Sequence, residues 1–467
     1  MLFSSITFLF YFLSIALLLH TVAPKPLKNT VLLISSLIFY AWGEPRLVVL
    51  LGISLAFHFV CGLLIEKFKD KNKRVAQIVL WISALVSLGM IGYFKYTNFF
   101  IDTVNSALGT VIPLLKVSLP IGISFYTFQL VSYQIDVYRG MKAEHNIIDF
   151  CTFIAFFPQL IAGPIVRYVD ISKELKDRKV TLAQFSLGIR RFVFGLAKKI
   201  LIANTLGELT EIFRASGDLS VLYFWMYAIA FTLYIYYDFS GYSDMAIGLS
   251  KMFGFEFPEN FNYPYISKTV TEFWRRWHIS LGSWFRDYVY FPMGGSRVNW
   301  KRHIINIGVV WALTGLWHGA SWNFVLWGLY YGVFLIIEKF FLMDFLKKHK
   351  IFSHFYTILA TIIGFTIFNA TTFPQIAHDL GGLIGLGGHS LVSAEALYYL
   401  KSFAVPFIVG IFFSTPIAKN AVMKMNNNKT CNAILTVVEP IVLVAIVLFV
   451  TGSLVDGSFN PFLYFRF

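Results

Sequence analysis

Long apolar runs recur along the whole chain and are separated by short polar or basic segments. Residues 47–65, 75–93 and 222–237 are three of these runs, and none of them contains Asp, Glu, Lys or Arg. A helix needs about 20 predominantly apolar residues to cross a bilayer. A transmembrane β-strand would instead alternate apolar and polar residues over about 10 positions, and these runs do not alternate. The pattern therefore predicts an all-α polytopic membrane protein, with the lipid bilayer as a partner.

The spacing of the runs predicts the individual membrane spans within a single membrane domain over 1–467. Runs of suitable length lie at 5–22, 29–42, 46–65, 75–93, 117–137, 304–317, 321–341, 355–372, 403–417 and 433–450. Two further stretches, 147–166 and 262–295, mix apolar residues with Pro, Gly or charged residues. Irregular backbone at membrane depth is tolerated only where it is buried in protein or lines a cavity. We therefore expect short or re-entrant helices around an internal cavity in both stretches.

Composition and charge agree with a membrane protein and argue against nucleic acid as a partner. The 467 residues are 57% hydrophobic and 14% charged, with a formal net charge of +14, whereas soluble domains carry about 25% charged residues. Lys and Arg are enriched in the cytoplasmic loops of membrane proteins, and 66–74 is the clearest basic loop of this chain. Counting the spans that precede this loop places the N-terminus outside.

The sequence carries no signal for a metal site. The three cysteines are scattered, without the spacing of metal ligands or of a disulfide framework. Asp238 and Asp244 are six residues apart without further ligands, which is weak evidence for a metal. Together with Ser240 and Ser243 they form a polar group directly after an apolar run. This group fits a helix cap near Ser240 about as well as it fits a substrate site.

His318 is the strongest candidate for chemistry among the ten histidines. It lies beside Trp317 in an apolar, Trp-rich stretch, where Gly315, Gly319 and Ala320 keep one helix face small. Ionisable residues inside a membrane usually face the protein interior or a water-filled cavity, and small residues let another backbone or a narrow substrate approach. Burial favours the neutral imidazole, which is the form that a general base needs. The alternative is a histidine that fixes helix packing through a hydrogen bond.

A second candidate is the segment 273–295, in which charged residues interrupt an aromatic and aliphatic run. Its candidate binding residues are Trp274, Arg275, Arg276, His278, Arg286 and Asp287. Read as one helix, 273–290 carries Trp274, Trp277 and His278 on one face and Arg275 on another. On a cytosolic cavity wall the arginines would bind anionic groups such as phosphate, and Asp287 would pair with a cation. The alternative is an interfacial amphipathic helix whose basic side meets anionic headgroups.

Motifs along nearly the whole chain resemble those of the membrane-bound O-acyltransferase (MBOAT) family. They are MLFSSITFLFYF (1–12), FFPQLIAGPIVRY (156–168), YYDFSGYSDMAIG (236–248), NFNYPYISKTVTEFWRRWHISLGSWFRDYVYFPMGG (260–295), LTGLWHGASWNFVLWGLYYG (313–332) and NPFLYFRF (460–467). Within the family, the chain resembles the bacterial alginate-O-acetylation branch. The family's near-invariant WHG histidine falls on His318, and its RRWHISL histidine falls on His278, so the resemblance implies that both are catalytic.

The resemblance also implies a fold and a reaction. The fold would be a ring of tilted transmembrane helices around a thin central wall, with cytosolic and extracytoplasmic funnels. The reaction would carry acetyl from cytosolic acetyl-CoA, a substrate rather than a bound cofactor, across the bacterial cell (inner) membrane. The acceptor is expected to be a serine hydroxyl of an exported SGNH-type, esterase-like protein that then modifies a cell-surface polysaccharide. Substrate contacts are expected from Trp274, Arg275, Arg276, Arg286, Asp287, Trp317 and Gly319.

Two other functions stay open at this point. The first is D-alanyl transfer from a carrier protein into the teichoic-acid pathway, because the D-alanine exporters share the FWRRWH-type and WFRDYVY-type elements. A carrier would need a protein-docking surface, whereas free CoA needs only phosphate contacts. The second is a passive transporter or channel, for which inverted repeats and paired broken helices are expected. The sequence shows no such symmetry.

Overall fold

The computed structural model describes residues 1–457 and 459–463, so the end of the last motif, 464–467, lies outside the described residues. The described part of the chain consists of helices joined by turns and loops, and it contains no β-strand. The predicted all-α class is therefore confirmed, whereas the ring and the funnels stay predictions.

The chain divides into two compact units. The first is Met1–Phe192 with Met245–Pro258, and the second is Val193–Asp244 with the chain from Glu259 onward. The single domain over 1–467 stays a prediction.

The helices of the first half are α1 (Leu13–Val22), α2 (Lys28–Gly43), α3 (Leu47–Lys69), α4 (Lys73–Ile91), α5 (Thr97–Leu108), α6 (Ile123–Tyr138), α7 (Ile147–Ala155), α8 (Phe157–Leu160), α9 (Tyr168–Lys176), α10 (Leu182–Ala197), α11 (Asn204–Ala215) and α12 (Val221–Met252).

The second half begins with short helices and continues with longer ones. They are α13 (Val270–Arg276), α14 (Ile279–Phe285), α15 (Trp300–His318), α16 (Trp322–Ile337), α17 (Met343–Lys348), α18 (Lys350–Asn369), α19 (Phe373–Leu383), α20 (Ala394–Ser402), α21 (Ala404–Phe413), α22 (Ile417–Asn426) and α23 (Lys429–Val455). Short π-helical turns extend some of them, including Arg286–Tyr290 after α14 and Glu338–Leu342 between α16 and α17.

Five helical segments in the described part of the chain are long and apolar enough to cross a membrane. They are Leu47–Lys69, Lys73–Leu108, Trp322–Lys348, Lys350–Asn369 and Lys429–Val455. Each overlaps a span predicted from the apolar runs, which confirms those five predictions and supports a multi-pass membrane protein. Local chemistry explains their ends: Asn72 caps α4 by accepting a hydrogen bond from the backbone N–H of Val75, and Gly109 follows α5 with a φ of 66°.

Two predicted spans differ from the structure. The first part of 117–137 is not helical, because α6 begins only at Ile123. Pro120 disfavours helical backbone at the residue before it, and Gly122 has a φ of 74°. The span predicted at 403–417 is also wrong in its bounds: α21 is 10 residues long and is bent by 55° from α20.

The Pro- and Gly-rich stretch 147–166 forms short helices, as predicted. The chain breaks between α7 and α8 at Phe156, which has a φ of −53° and a ψ of 112°. Every residue from Thr152 to Val166 is buried. Irregular backbone is thus covered by protein here, as membrane depth requires. A cavity beside this stretch stays a prediction.

Candidate active site

The segment predicted as one helix over 273–290 is broken at His278, so that prediction is wrong. α13 ends at Arg276 and α14 begins at Ile279, while His278 has a φ of 45° and a ψ of 53°. A residue with a side chain pays about 1–3 kcal/mol for such backbone, and it persists only where the surrounding structure holds it. Here the backbone N–H of Ile279 donates to the carbonyl of Asn260 over 2.9 Å. Contacts distant in sequence therefore produce the break.

The Asn260 side chain holds the His278 ring as well as its backbone. His278 is buried, and its Nδ1 lies 3.2 Å from Oδ1 of Asn260. The same oxygen accepts hydrogen bonds from the backbone N–H and the hydroxyl of Ser280, over 3.2 and 2.9 Å. The Nδ2 group of Asn260 donates to the Ser243 hydroxyl over 3.0 Å. A fully buried amide thus organises the start of α14.

A buried carboxylate, Glu338, fixes the other end of α13. Its two oxygens accept hydrogen bonds from the backbone N–H groups of Val270 and Thr271 over 2.6 and 2.8 Å, and from the Thr271 hydroxyl over 2.6 Å. Helix N-termini leave such N–H groups without partners inside the helix and favour negative charge. The seven-residue helix α13 is therefore held by Glu338 at its start and, beyond its end, by the segment 260–262.

A cavity of about 590 Å³ opens beside α13 and α14. Its walls are mainly aromatic and aliphatic, and they also contain two arginines, one histidine and several residues with hydroxyl groups. It is lined by Thr271, Trp274, Arg275, Trp277, His278, Ile279, Leu281, Gly282, Ser283, Phe285, Arg286, Tyr290, Val310, Trp311, Thr314 and Leu335. Arg275 and Arg286 are exposed, whereas His278 is buried. The short helices predicted for the stretch 262–295 are therefore confirmed, and a cavity lies beside them; that it is internal stays a prediction.

His318 lies at the end of α15, in an aromatic environment. It is buried, and its ring contacts those of Trp327 and Phe368 edge-to-face, with centroids 4.9 and 5.3 Å apart. The Trp317 ring contacts both imidazoles, with centroid distances of 5.1 Å to His318 and 5.7 Å to His278. His318 does not line the cavity described above, but Thr314, one helical turn before it, does. The structure thus brings the two predicted histidines into contact with the same indole.

Glycines explain how α15 and α16 approach each other so closely. A Cβ atom added to Gly315 would lie 2.4 Å from the Phe324 carbonyl oxygen, and one added to Gly328 would lie 2.4 Å from the Trp311 carbonyl oxygen. The small face predicted around His318 is therefore used for helix packing. A Cβ at Gly319 would lie 2.2 Å from the Phe324 ring, so this glycine is covered by an aromatic side chain.

The remaining charged residues of the segment differ in whether they line the cavity or pair with another side chain. Arg275 reaches the cavity, but Arg276 does not line it. Arg276 instead pairs with Glu272 over 2.9 Å and donates to the Asn262 carbonyl over 3.1 Å. Asp287 accepts two hydrogen bonds from the neighbouring Arg286, over 2.8 and 3.2 Å.

The polar group after residue 237 lies inside a continuous helix, so the predicted helix start near Ser240 is wrong. α12 runs unbroken through it. Asp238 is buried and pairs with the buried Lys199 over 2.5 Å, and Asp244 pairs with Lys198 over 2.6 Å. The carboxylates are held by lysines of an earlier helix instead of capping a new one.

Asn260 and Glu338 are the structural partners that reasoning from the sequence missed. Asn260 precedes the FWRRWH motif in a polar-aromatic loop, and Glu338 follows a long apolar run. A carboxylate directly after such a run is a usable signal, because an acidic residue at membrane depth is expected to have a specific partner. For Asn260 the only signal was its place within a motif.

Comparison with known proteins points to one family. Residues 34–377 match the model of the membrane-bound O-acyltransferase family. The chain is 37% identical to the "Probable alginate O-acetylase" of Azotobacter vinelandii over the full length of both. It is 32% identical to a peptidoglycan O-acetyltransferase of Helicobacter pylori, over 91% of this chain and 88% of that one. A teichoic acid D-alanyltransferase of Bacillus subtilis is 28% identical over 70% of this chain and 96% of its own.

Proposed function

The chain belongs to the membrane-bound O-acyltransferase family and is an O-acyltransferase, and we propose that it moves acetyl from cytosolic acetyl-CoA across the membrane to an acceptor outside. The acetyl group would be destined for O-acetylation of a cell-surface polysaccharide. The similarity to an alginate O-acetylase and a peptidoglycan O-acetyltransferase supports this substrate class. The observation that carries the proposal is the cavity beside α13 and α14, which joins exposed arginines to a buried histidine.

The proposed donor fits the chemistry of the cavity. CoA carries phosphates at one end and a thioester at the end of a flexible arm. Arg275 and Arg286 would bind the phosphates, since guanidinium groups suit phosphate geometry. The arm would extend along the aromatic wall that includes Trp274, bringing the thioester towards His278. No permanently bound cofactor is needed for this chemistry.

The transfer step would use His318 as a general base. The acceptor hydroxyl oxygen attacks the thioester carbonyl carbon, and its proton passes to the imidazole of His318. The carbon–sulfur bond then breaks, and the CoA thiolate leaves and takes up a proton. The alternative is that His318 carries the acetyl group transiently, which would give a labelled enzyme intermediate.

The immediate acceptor in this proposal is a serine hydroxyl of an exported SGNH-type protein. A second catalytic domain would need on the order of 100 residues, and each loop between helices in the described part of the chain is far shorter. The localisation that we propose is the bacterial inner membrane with the N-terminus outside, because this puts the basic loop 66–74 in the cytoplasm. Transfer of labelled acetyl to a co-purified exported protein would support this acceptor.

Filling the cavity tests the proposed donor site. A Cβ at Gly282 would have only the Trp274 carbonyl oxygen within 4 Å among the described residues, at 3.9 Å, so this cavity-lining position has room for the start of a side chain, and Gly282→Phe is designed to fill the cavity. Gly308→Phe is the matched control, because Gly308 lies in a helix of the same unit and, apart from its neighbours and its own helix backbone, no described residue comes within 4 Å of its Cβ position. Purified Gly282→Phe should lose acetyl transfer from acetyl-CoA through a raised KM, and Gly308→Phe should not. Equal KM values for the two variants would reject the donor site.

D-alanyl transfer is the second candidate, favoured by the similarity to the teichoic acid D-alanyltransferase. The two functions differ in the donor. The purified protein should release thiol from acetyl-CoA in the presence of acceptor and should leave a D-alanyl carrier protein unchanged. The reverse result would establish the second candidate.

A further inference from the structure

We propose that Asn260 is a positioning residue that holds His278 in one tautomer, with the proton on Nδ1 and the lone pair of Nε2 left for the donor cavity. This inference rests on the proposed function for the identity of the ligand in the cavity. The tautomer itself follows from hydrogen-bond geometry alone.

The orientation of the Asn260 amide is determined by its neighbours. The backbone N–H of Ser280 can only donate a hydrogen bond, and the atom of Asn260 that faces it, at 3.2 Å, must therefore be the oxygen. The opposite edge of the amide faces the Ser243 hydroxyl, which can accept from the Nδ2 group at 3.0 Å. Asn260 is fully buried, so water does not compete for these bonds.

The oxygen of Asn260 then sets the proton position on His278. An amide oxygen cannot donate, so the Nδ1 atom 3.2 Å away must carry a hydrogen to make the bond. In a neutral imidazole this leaves Nε2 without a proton. Nε2 is buried and has no hydrogen-bond partner among residues 1–457 and 459–463, and His278 is one of the residues that line the cavity.

A buried acceptor without a partner is costly, on the order of 1–3 kcal/mol. Such an atom fits a ligand that supplies a donor at this position. The ligand group is accordingly an N–H or O–H of a bound substrate near the thioester, and a second acceptor such as a carbonyl oxygen would be repelled. His278 therefore accepts a hydrogen bond from the substrate, while the proton of the acceptor hydroxyl passes to His318 as proposed above.

Burial, and after it the charge of His318, favour the neutral ring of His278. His318 is the titratable group whose charge acts on it, and Arg275 and Arg286 line the same cavity. Positive neighbours disfavour the imidazolium form. The carbonyl-type oxygen of Asn260 carries no net charge to offset them, and this distinguishes it from an aspartate at the same position.

The tautomer can be measured directly, without an activity assay. Full-length protein labelled with ¹⁵N-histidine in lipid bilayers would be compared with His278→Gln to identify the His278 signals by solid-state NMR. We expect Nδ1 to show the shift of a protonated nitrogen and Nε2 that of an unprotonated one. In Asn260→Leu the two tautomers should mix. A proton on Nε2 in the wild type would overturn the proposal.

Enzyme kinetics provide the second arm. Asn260→Asp keeps an acceptor oxygen but adds a negative charge that favours imidazolium, so the pH at which the neutral ring becomes available should rise. We expect kcat to fall about 10–100-fold, as happens when a group that orients a functional side chain is altered, with little change in KM for acetyl-CoA. The pH profile of kcat should move to higher pH.

Asn306→Asp is the matched control for losing a buried amide. Asn306 is fully buried and donates to the carbonyl of Gly295 over 2.9 Å, so a carboxylate there perturbs the fold of the same unit. The pH profile of this variant should not move.

A wild-type pH profile for Asn260→Asp would contradict the positioning role. This profile can be measured even if Asn260→Leu fails to fold. If even the wild type does not use acetyl-CoA, the proposed function fails, and the NMR result still decides the tautomer.

Discussion

Two buried histidines of this chain, His58 and His278, differ in how completely their rings are hydrogen-bonded. His58 lies in α3, where Nδ1 bonds the Ser54 carbonyl over 2.8 Å and Nε2 bonds the Ser87 hydroxyl over 2.7 Å. Among residues 1–457 and 459–463, His278 has a hydrogen-bond partner on Nδ1 only, and it is one of the residues that line a cavity. Burial alone therefore does not mark a functional histidine. The role that we propose for His278 rests instead on its incomplete set of hydrogen bonds beside a cavity.

The largest effect is expected at the neighbouring histidine, His318. His318→Ala removes the proposed general base, and kcat for acetyl transfer should fall by about 10²–10⁴-fold, the usual contribution of such a group. The KM for acetyl-CoA should change little, because the base acts on the transition state more than on ground-state binding. Steady-state transfer by purified protein over a range of acetyl-CoA concentrations measures both.

His58→Ala is the control that makes this result specific. It leaves the Ser87 hydroxyl and the Ser54 carbonyl without their ring partner, which should cost about 1–3 kcal/mol of unfolding free energy. Transfer per folded molecule should be unchanged, as judged against thermal melting of both variants in the same detergent. Near-normal transfer by folded His318→Ala, or a lost kcat in folded His58→Ala, would break the distinction between the two kinds of histidine.

The next largest effect is expected at the buried ion pair between Asp238 and Lys199, in which the carboxylate has hydrogen-bond donors on both oxygens. Asp238 bonds Lys199 over 2.5 Å and accepts from the backbone N–H of Leu463 over 3.1 Å. Lys199→Met should cost about 3–5 kcal/mol, because an uncompensated carboxylate would remain buried. The double variant Lys199→Met with Asp238→Leu should recover much of that loss. Thermal melts of the three proteins test this, and a double variant no more stable than the single one would contradict it.

Local signals allowed much of the fold to be predicted from the sequence. α3 and α23 each coincide with a long apolar run that needs no distant partner to be read. α12 was misread at Ser240 because its buried carboxylate is satisfied by Lys199, 39 residues earlier in the chain. A polar residue inside an apolar stretch looks like an interruption until its partner is known.

The candidate site shows the same limit more sharply. His278 and His318 were predicted from their motifs, but the helix break at His278 depends on Asn260, 18 residues away. Arg275 and Arg276 are adjacent and chemically identical, so the sequence could not tell that only the first reaches the cavity. Which way a side chain turns is decided by tertiary contacts such as the pair between Arg276 and Glu272.

Substitution of Glu338 should have a moderate effect on both stability and donor binding. Its carboxylate holds the start of α13, and α13 contributes residues to the cavity. Glu338→Gln replaces one accepting oxygen by an N–H₂ group that faces backbone N–H groups, so about 1–3 kcal/mol of unfolding free energy should be lost. Since α13 carries Trp274 and Arg275, the KM for acetyl-CoA should rise as well. Glu272→Gln, which loses a partly exposed ion pair, should cost less than about 1 kcal/mol. Equal melting temperatures for the two variants would show that Glu338 does not hold α13.

The smallest effect is expected from the adjacent residues Arg275 and Arg276. Their comparison tests whether α13 forms the wall of a cavity or lies on the membrane surface. Arg275→Ala should raise the KM for acetyl-CoA by about 1.5- to 5-fold, since exposed charge contacts are worth about 0.2–1 kcal/mol. Arg276→Ala is the matched control, because its side chain is turned to Glu272 and the Asn262 carbonyl.

Salt makes this last comparison decisive. Charge contacts are screened over about 8 Å at physiological ionic strength and about 3 Å at 1 M, so the KM difference between wild type and Arg275→Ala should shrink as salt is added, while kcat stays the same. An interfacial helix predicts instead that Arg275→Ala and Arg276→Ala equally reduce membrane association, with the KM of the surviving protein unchanged. If the two variants behave alike in both measurements, Arg275 has no separate role in binding an anionic donor, and the cavity must admit its ligand by shape and aromatic contact alone.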